Sequence, residues 1–192
     1  MIAGYHVVRK NKKVLKQEAN VTLEKIDYLK KVLRGKYGWE LWAKVYRREL
    51  FDEPMYIPCH LRIGEDATVY MQLVARSCKV KIINEALYNY IQYPSSASHQ
   101  RSVTLAEETL QAAFYIDHLL KKESFYQEIR DEIDAMYLLF YSNSTRKAFL
   151  RLNHPLIYQV YQEHYSLRAL KILPLFKSIY ISLSLLLRKT LS

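Results

Sequence analysis

Apolar and polar positions alternate at the start of the chain and then take up a helical period. The alternation predicts a strand over residues 2–8 and a second strand over residues 13–16, with a turn between them. From residue 22 the apolar positions recur every three or four residues, which predicts a helix that ends at Gly35. Residues 38–51 keep the helical spacing and carry large aromatic anchors, so a second helix is expected there.

The middle of the chain predicts one more helix and two more strands. After Gly64 the spacing of apolar residues predicts a helix over residues 65–77. Residues 79–83 and 86–93 alternate as strands do, and the polar pair Asn84-Glu85 between them predicts a turn.

The second half of the chain is predicted to be helical. Two capping-box patterns, Thr104 with Glu107 and Ser124 with Gln127, predict helix starts. Behind the second box, apolar residues hold one helical face for over three turns. That face consists of Phe125, Ile129, Ile133, Met136, Tyr137 and Phe140. Interruptions are expected near two prolines, Pro155 and Pro174.

Together these elements predict an α/β fold dominated by helices, with a small mixed sheet and a helical C-terminal extension. The chain has 192 residues, half of them hydrophobic, which is enough for a substantial core. Four glycines and five prolines are too few for an all-β chain with many turns. The expected divisions are residues 1–102, a helical extension over residues 103–170, and an apolar C-terminal helix over residues 171–192.

Positive charge is concentrated at both ends of the chain. The formal net charge is +10, no acidic residue precedes Glu18, and none follows Glu163. Such ends favour an anionic partner, which could be phosphate, nucleic acid or lipid headgroups.

The two cysteines, Cys59 and Cys78, are too few for a disulfide framework, and no signal peptide is recognisable. A cytoplasmic location is therefore expected.

The last apolar stretch, residues 172–187, allows two interpretations. It is shorter than the roughly 20 residues that a membrane-spanning helix needs, and basic residues flank it. A helix lying on an anionic membrane surface, at the inner face of the cell membrane, fits that pattern. Alternatively the helix packs on the domain with four leucine and isoleucine side chains buried. Those four are Leu175, Ile179, Leu183 and Leu186.

A glycine followed by two acids supplies the strongest candidate for chemistry. Gly64 releases the backbone, and Glu65 and Asp66 then open the predicted helix, where the unpaired N–H groups favour negative charge. The structural interpretation is that these acids only stabilise the helix start. The functional interpretation is that one of them is a general base at the edge of a binding site.

These residues stand in a series of short motifs that resembles the bacterial family 2 glycosyltransferases of the GT-A type. The resemblance covers roughly residues 1–102. The motifs are Trp42-Ala43-Lys44-Val45-Tyr46-Arg47-Arg48, Tyr56-Ile57-Pro58, Ile63-Gly64-Glu65-Asp66, Lys81-Ile82-Ile83, Leu87-Tyr88-Asn89-Tyr90 and Ser95-Ser96-Ala97-Ser98-His99.

The resemblance implies an inverting transfer of a sugar from a nucleotide sugar to an acceptor hydroxyl, in the synthesis of a surface polysaccharide. Asp66 would be the base and Glu65 would orient the acceptor. His99 would reach a metal ion or the diphosphate. The implied substrate-binding residues are Trp42, Lys44, Tyr46, Arg47, Ser96, Ser98 and Arg101. Each has a structural alternative: the aromatic residues can be core anchors, the basic ones solvated, and the serines turn formers.

The chain departs from the family because the nucleotide-binding half with which such enzymes begin is not recognisable in it. Neither a nucleotide-binding parallel sheet nor an Asp-x-Asp metal motif occurs. The sequence therefore predicts the acceptor-side part of a longer transferase, inactive and without tight nucleotide-sugar binding when alone. A divalent metal, Mg or Mn, is expected for the full-length family and no cofactor for this chain. The expected partners are a nucleotide sugar and a glycan or lipid-linked acceptor, not nucleic acid.

A different class of function also fits the composition. A basic, mostly helical module that binds nucleic acid or a partner protein would account for the net charge and the two basic ends. However, the basic residues form no dense stripe with interleaved aromatic residues, and no nucleic-acid-binding motif is present. The transferase interpretation is therefore the preferred one.

Overall fold

A computed structural model describes residues 1–9, 12–93, 102–147 and 154–189. The strands are β1 (Ile2–Arg9), β2 (Lys12–Lys16), β3 (Val21–Glu24) and β4 (Lys79–Ile91). The helices are α1 (Lys25–Leu33), α2 (Glu65–Arg76), α3 (Val103–Leu120), α4 (Arg130–Lys147), α5 (Pro155–His164), α6 (Leu167–Ile172) and α7 (Leu175–Lys189). Two short 3-10 helices cover Arg48–Phe51 and Tyr126–Ile129. The predicted helix-dominated α/β class is confirmed.

The four strands form one mixed sheet in the order β2-β1-β4-β3. The central pair, β1 and β4, runs parallel, and the two outer pairs are antiparallel. The predicted hairpin at the start of the chain and the small mixed sheet are therefore confirmed. The helix expected from residue 22 begins only at Lys25, because Val21–Glu24 pair with β4 as the strand β3.

The two strands predicted on either side of residues 84–85 are one continuous strand, so the predicted turn is wrong. Along β1, Ile2 pairs with Ile82 and Gly4 pairs with Ala86, so four residues of β4 advance opposite two of β1. Asn84 and Glu85 therefore lie at an irregularity of the β1–β4 pairing, where β4 has two more residues than β1 and the ladder is locally disrupted.

The helix predicted over residues 38–51 is also wrong, apart from its last turn. Residues 43–45 instead lie along the edge of β1, where the Ala3 N–H donates to the Ala43 carbonyl at 3.0 Å and the Val45 N–H to the Met1 carbonyl at 2.8 Å. Ala43 takes a left-handed conformation, with φ of 58°. Backbone pairing with a distant strand has overridden the local helical spacing.

The helices surround α4, which is buried on nearly all sides. The predicted apolar face from Phe125 to Phe140 is buried as expected, and Ala135, Leu138 and Leu139 on other sides of the helix are buried as well. One continuous cluster of buried residues extends from Tyr28 to Ile181, so the sheet and the C-terminal helices share a core.

Both predicted capping boxes are wrong in detail. The cap of α3 is Ser102, whose hydroxyl accepts from the Leu105 N–H at 3.1 Å, and not Thr104. At the second site a 3-10 turn precedes α4, and no side chain caps it. The two predicted proline interruptions are confirmed, since Pro155 opens α5 and Pro174 directly precedes α7.

The C-terminal helix exposes three of the four side chains that the packing alternative expects to be buried, namely Leu175, Ile179 and Leu183. The side chain of the fourth, Leu186, lies outside the described part of the structure. Among the side chains of this helix that are described, Ile181 and Ser184 are buried. Among the helices that the structure describes, none combines the length and the apolar character needed to cross a bilayer.

Candidate functional site

The turn before α2 is held in place by close packing against α3. Gly64 has φ of 100°, in the left-handed region that favours glycine. A Cβ at this position would lie 2.4 Å from the Cβ of Ala112 in α3, which is too close for any side chain. The chain therefore needs glycine here for two reasons, its backbone conformation and the proximity of α3.

A second contact with α3 fixes the same turn. The backbone N–H of Arg62 donates to Glu108 Oε2 at 2.9 Å, and its guanidinium donates twice to Oε1, at 3.0 and 3.1 Å. Burial raises the pKa of Glu108, but the hydrogen bonds and charge of Arg62 outweigh it and hold that pKa below its ordinary value. The Glu108 carboxylate in α3 thus holds in place the turn that precedes Glu65 and Asp66.

Glu65 and Asp66 open into a cleft of about 380 Å³. Both tryptophans of the chain, Trp39 and Trp42, line it. The remaining lining residues are Glu40, Arg62, Ile63, Gly64, Ala67, Tyr90, Thr109, Ala112 and Phe140. Carboxylates in an aromatic-walled cleft are the arrangement that the functional interpretation of these acids requires.

Among the described residues, no salt bridge engages the carboxylate of Glu65 or that of Asp66. The Oε2 atom of Glu65 is buried without a hydrogen-bond partner. By contrast, Glu108, Glu132 and Asp134 all take part in salt bridges. A buried polar atom without a partner costs free energy, so such atoms point to a ligand or to ordered water.

Trp42 is positioned by the tyrosines of β4. Its indole stacks on Tyr88 and Tyr90, with ring centroids 5.1 and 4.7 Å apart, and Tyr5 meets its edge at 4.8 Å. Tyr88 and Tyr90 lie two residues apart and therefore face the same side of the strand. Trp42 thus covers this face of the two tyrosines, and the tryptophan ring contributes to the cleft wall.

Lys44 lies behind the cleft and not in it. Its side chain is 3% exposed, and Nζ contacts Glu40 Oε1 at 3.3 Å and lies 4.8 Å from the centre of the Tyr70 ring. Burial lowers the pKa of Lys44, although the nearby carboxylates of Glu40 and Asp66 act in the opposite direction. Lys44 therefore contacts the cleft indirectly, by pairing with Glu40, which is one of the residues that line the cleft.

The other predicted binding residues are not brought together. The Tyr46 hydroxyl donates to the Leu41 carbonyl at 3.3 Å, and its ring packs against Tyr70 and Phe51. Arg47 lines a separate pocket near the end of α2. Four predicted residues, Ser96, Ser98, His99 and Arg101, lie outside the described residues. Of the predicted binding residues that the structure describes, the cleft therefore contains Trp42 alone.

Sequence reasoning missed Trp39, Glu40 and Arg62 as parts of the site. A signal for Glu40 existed, because it precedes Lys44 by four residues, which is a common spacing of ion pairs. The partnership of Arg62 with Glu108 spans 46 residues of sequence, so no local pattern could have indicated it.

The described residues do not offer a site for the divalent metal of the full-length family. Among them no three His, Cys, Asp or Glu side chains are grouped closely enough to hold an ion. The sequence also contains no Asp-x-Asp pair. Three carboxylates line the cleft beside its aromatic rings: Glu40, which pairs with Lys44, and the acids Glu65 and Asp66, which form no salt bridge with any described residue. A carboxylate in such a place can bind and deprotonate a hydroxyl.

Comparison with known proteins links part of this chain to a protein named as a glycosyltransferase. The chain is similar to a protein named uncharacterized glycosyltransferase EpsJ from Bacillus subtilis (strain 168), with 29% identity over 101 residues. The match covers 50% of this chain and 29% of that protein, so the chain spans well under two thirds of its relative. No protein-family model matches the chain, and no solved structure matches it. The similarity supports a relationship to glycosyltransferases.

Proposed function

We propose that this chain is the acceptor-binding part of an inverting glycosyltransferase of the family 2, GT-A type. The cleft holds the acceptor, a glycan or lipid-linked sugar of a surface polysaccharide, with one hydroxyl beside Asp66. The relationship to a glycosyltransferase supports this more than it supports a nucleic-acid-binding module. The observation that carries the proposal is the pair of acids without salt bridges, which opens α2 inside an aromatic-walled cleft.

In the proposed reaction the acceptor oxygen attacks the anomeric carbon of the donor sugar. The bond from that carbon to the nucleoside diphosphate breaks, and the diphosphate leaves with the bonding electrons. The hydroxyl proton passes to the carboxylate of Asp66, which acts as general base. Inversion follows because attack and departure occur on opposite faces of the sugar.

Glu65 has a positioning role in this scheme. Its Oε2 atom is buried and lacks a hydrogen-bond partner, so it is suited to accept a hydrogen bond from a second acceptor hydroxyl. Trp39 and Trp42 supply flat apolar surface against which a sugar ring can pack. The nucleotide sugar would be held by parts of a longer transferase, with the divalent metal that the family resemblance implies.

The chain offers a direct test, because both of its tryptophans line the cleft. Titration with common mono- and disaccharides, followed by tryptophan fluorescence, is expected to give a saturable change at millimolar concentration for at least one sugar. Asp66→Ala should weaken that binding by roughly tenfold, since it removes a charged hydrogen-bond acceptor. Asp52→Asn, at an exposed acid in the separate pocket, is the matched control and should change nothing.

Two results would contradict the proposal. The first is the absence of a saturable signal with every sugar. The second is equal binding by the parent chain and the Asp66 variant. A separate calorimetric titration with UDP- and GDP-sugars is expected to show no micromolar affinity, and tight binding there would refute the assignment of this chain to the acceptor side.

A further inference from the structure

The helix α7 exposes several of its large apolar side chains, in contrast to an ordinary surface helix. A helix that packs on a soluble domain turns its apolar stripe inward. In α7 the outward positions Leu175, Ile179 and Leu183 are 76%, 49% and 53% exposed. The inward positions include Ser184, whose hydroxyl hydrogen-bonds with the Tyr141 hydroxyl at 2.7 Å. Among the side chains of α7 that the structure describes, Ile181 enters the core beside this hydroxyl, while Leu175, Ile179 and Leu183 face solvent.

The exposed side chains form one continuous stripe. Leu175, Ile179 and Leu183 follow each other at intervals of four residues, and Phe176, which is 59% exposed, lies beside them. We call these four residues the outward apolar face of α7. Scattered exposed apolar residues are ordinary, but an aligned set on one helix indicates a surface that contacts something apolar.

Positive charge accompanies this face. On the neighbouring helix α6, Arg168 and Lys171 are exposed, and so is Leu167, which is 72% exposed. From residue 164 to the last residue the sequence contains no acid and five basic residues. These are Arg168, Lys171, Lys177, Arg188 and Lys189. The chemistry that matches an apolar stripe with basic neighbours is an anionic lipid surface.

We propose that α6 and α7 dock on the surface of an anionic bilayer, with α7 lying in the membrane plane. The outward apolar face of α7 and Leu167 enter the boundary between headgroups and acyl chains, while Arg168 and Lys171 meet lipid phosphates. The helix is too short and insufficiently apolar to cross the membrane, so docking is peripheral. A protein partner would need charge complementary to the same basic residues, and the lack of polar groups along the stripe favours lipid over a protein interface.

Vesicle flotation with the full chain tests this proposal. The chain is expected to float with phosphatidylcholine vesicles that contain about 30% phosphatidylglycerol, and much less with pure phosphatidylcholine. The triple variant Leu175→Ser, Ile179→Ser, Leu183→Ser should lower the partition coefficient by roughly tenfold or more, because the apolar contact drives insertion. The double variant Arg168→Glu, Lys171→Glu should weaken binding to the anionic vesicles and leave binding to pure phosphatidylcholine vesicles unchanged.

A matched control separates docking from general stickiness. Val14→Ser, Leu87→Ser and Ile91→Ser remove three apolar side chains of similar exposure from the sheet, and they should leave flotation unchanged. Circular dichroism verifies that both triple variants remain folded. The proposal is overturned if the α7 variant floats as well as the parent chain, or if both triple variants lose flotation equally. It is also overturned if the parent chain does not float. In that case a parent chain that is a dimer and an α7 variant that is a monomer would identify the outward apolar face of α7 as a protein interface.

Discussion

Replacing Gly64 with alanine tests whether the candidate site is built by close packing between α2 and α3. The first cost is conformational, since a φ of 100° is strained for any L side chain, by about 1 kcal/mol. The second is steric, since the new Cβ would lie 2.4 Å from the Cβ of Ala112. Relieving that overlap requires α3 to shift, and overpacking of this kind costs about 1–3 kcal/mol. We expect Gly64→Ala to destabilise the protein by about 2–4 kcal/mol in total.

A second substitution isolates the steric part. Ala112→Gly removes the methyl group that Gly64→Ala would strike. Alone it should cost about 2 kcal/mol, from the lower helix propensity of glycine and the loss of a buried methyl group. In the double variant the overlap disappears while the other costs remain. The double variant should therefore be about 1–3 kcal/mol more stable than the sum of the two single effects predicts.

Urea unfolding followed by tryptophan fluorescence measures the free energies of unfolding of the parent chain and of the three variants. Gly35→Ala provides a matched control, because Gly35 also has a positive φ, of 72°, but its nearest neighbour is the end of a flexible leucine side chain. Combined with Ala112→Gly it should be additive. If the Gly64 and Ala112 effects add to within about 0.3 kcal/mol, Gly64 does not pack closely against Ala112, and close packing between α2 and α3 does not build the site.

Two further predictions concern contacts that hold segments at the two ends of α2. Glu108→Gln should lower the free energy of unfolding by about 1–2 kcal/mol at neutral pH, since Arg62 loses a charged acceptor. Because the folded pKa of Glu108 lies below the ordinary value of 4.5, its stabilisation is complete above that pH and is lost as the pH falls through the folded pKa. The parent and variant should therefore converge in acid urea titrations, and a constant difference down to the lowest pH would contradict the prediction. Arg76→Lys should cost about 1–2 kcal/mol and increase proteolysis within residues 50–54, because the guanidinium donates to three carbonyls there and an ammonium cannot match that geometry. Unchanged proteolysis would contradict it.

Local sequence signals predicted the elements whose stability is local. The helix after Gly64 was predictable from a glycine, two acids and an apolar period, and it forms within one residue of the expected end. The hairpin at the start and the helix stop at Gly35 were predictable for the same reason. In each case the backbone conformation of a few neighbouring residues decides the outcome.

The segment over residues 38–51 shows the opposite case. Its spacing is helical, yet pairing with Met1 and Ala3 and stacking of Trp42 on two tyrosines of β4 hold it in an irregular conformation. Those partners lie about 40 residues away on either side of the segment, so no local window contains them. Intrinsic helix propensity amounts to only tenths of a kcal/mol per residue, which such tertiary contacts easily exceed.

The sequence by itself determined that this is a helix-rich α/β chain with two acids at the start of a helix, because periodicity, glycine and charge act over short distances. Only the tertiary structure decided that those acids meet Trp39 and Trp42 in a cleft, that Lys44 lies behind it, and that α7 exposes its apolar side. Each of these outcomes depends on which surfaces remain after the core has formed around α4. Burial of that core is a property of the whole chain, so no single segment of the sequence specifies it.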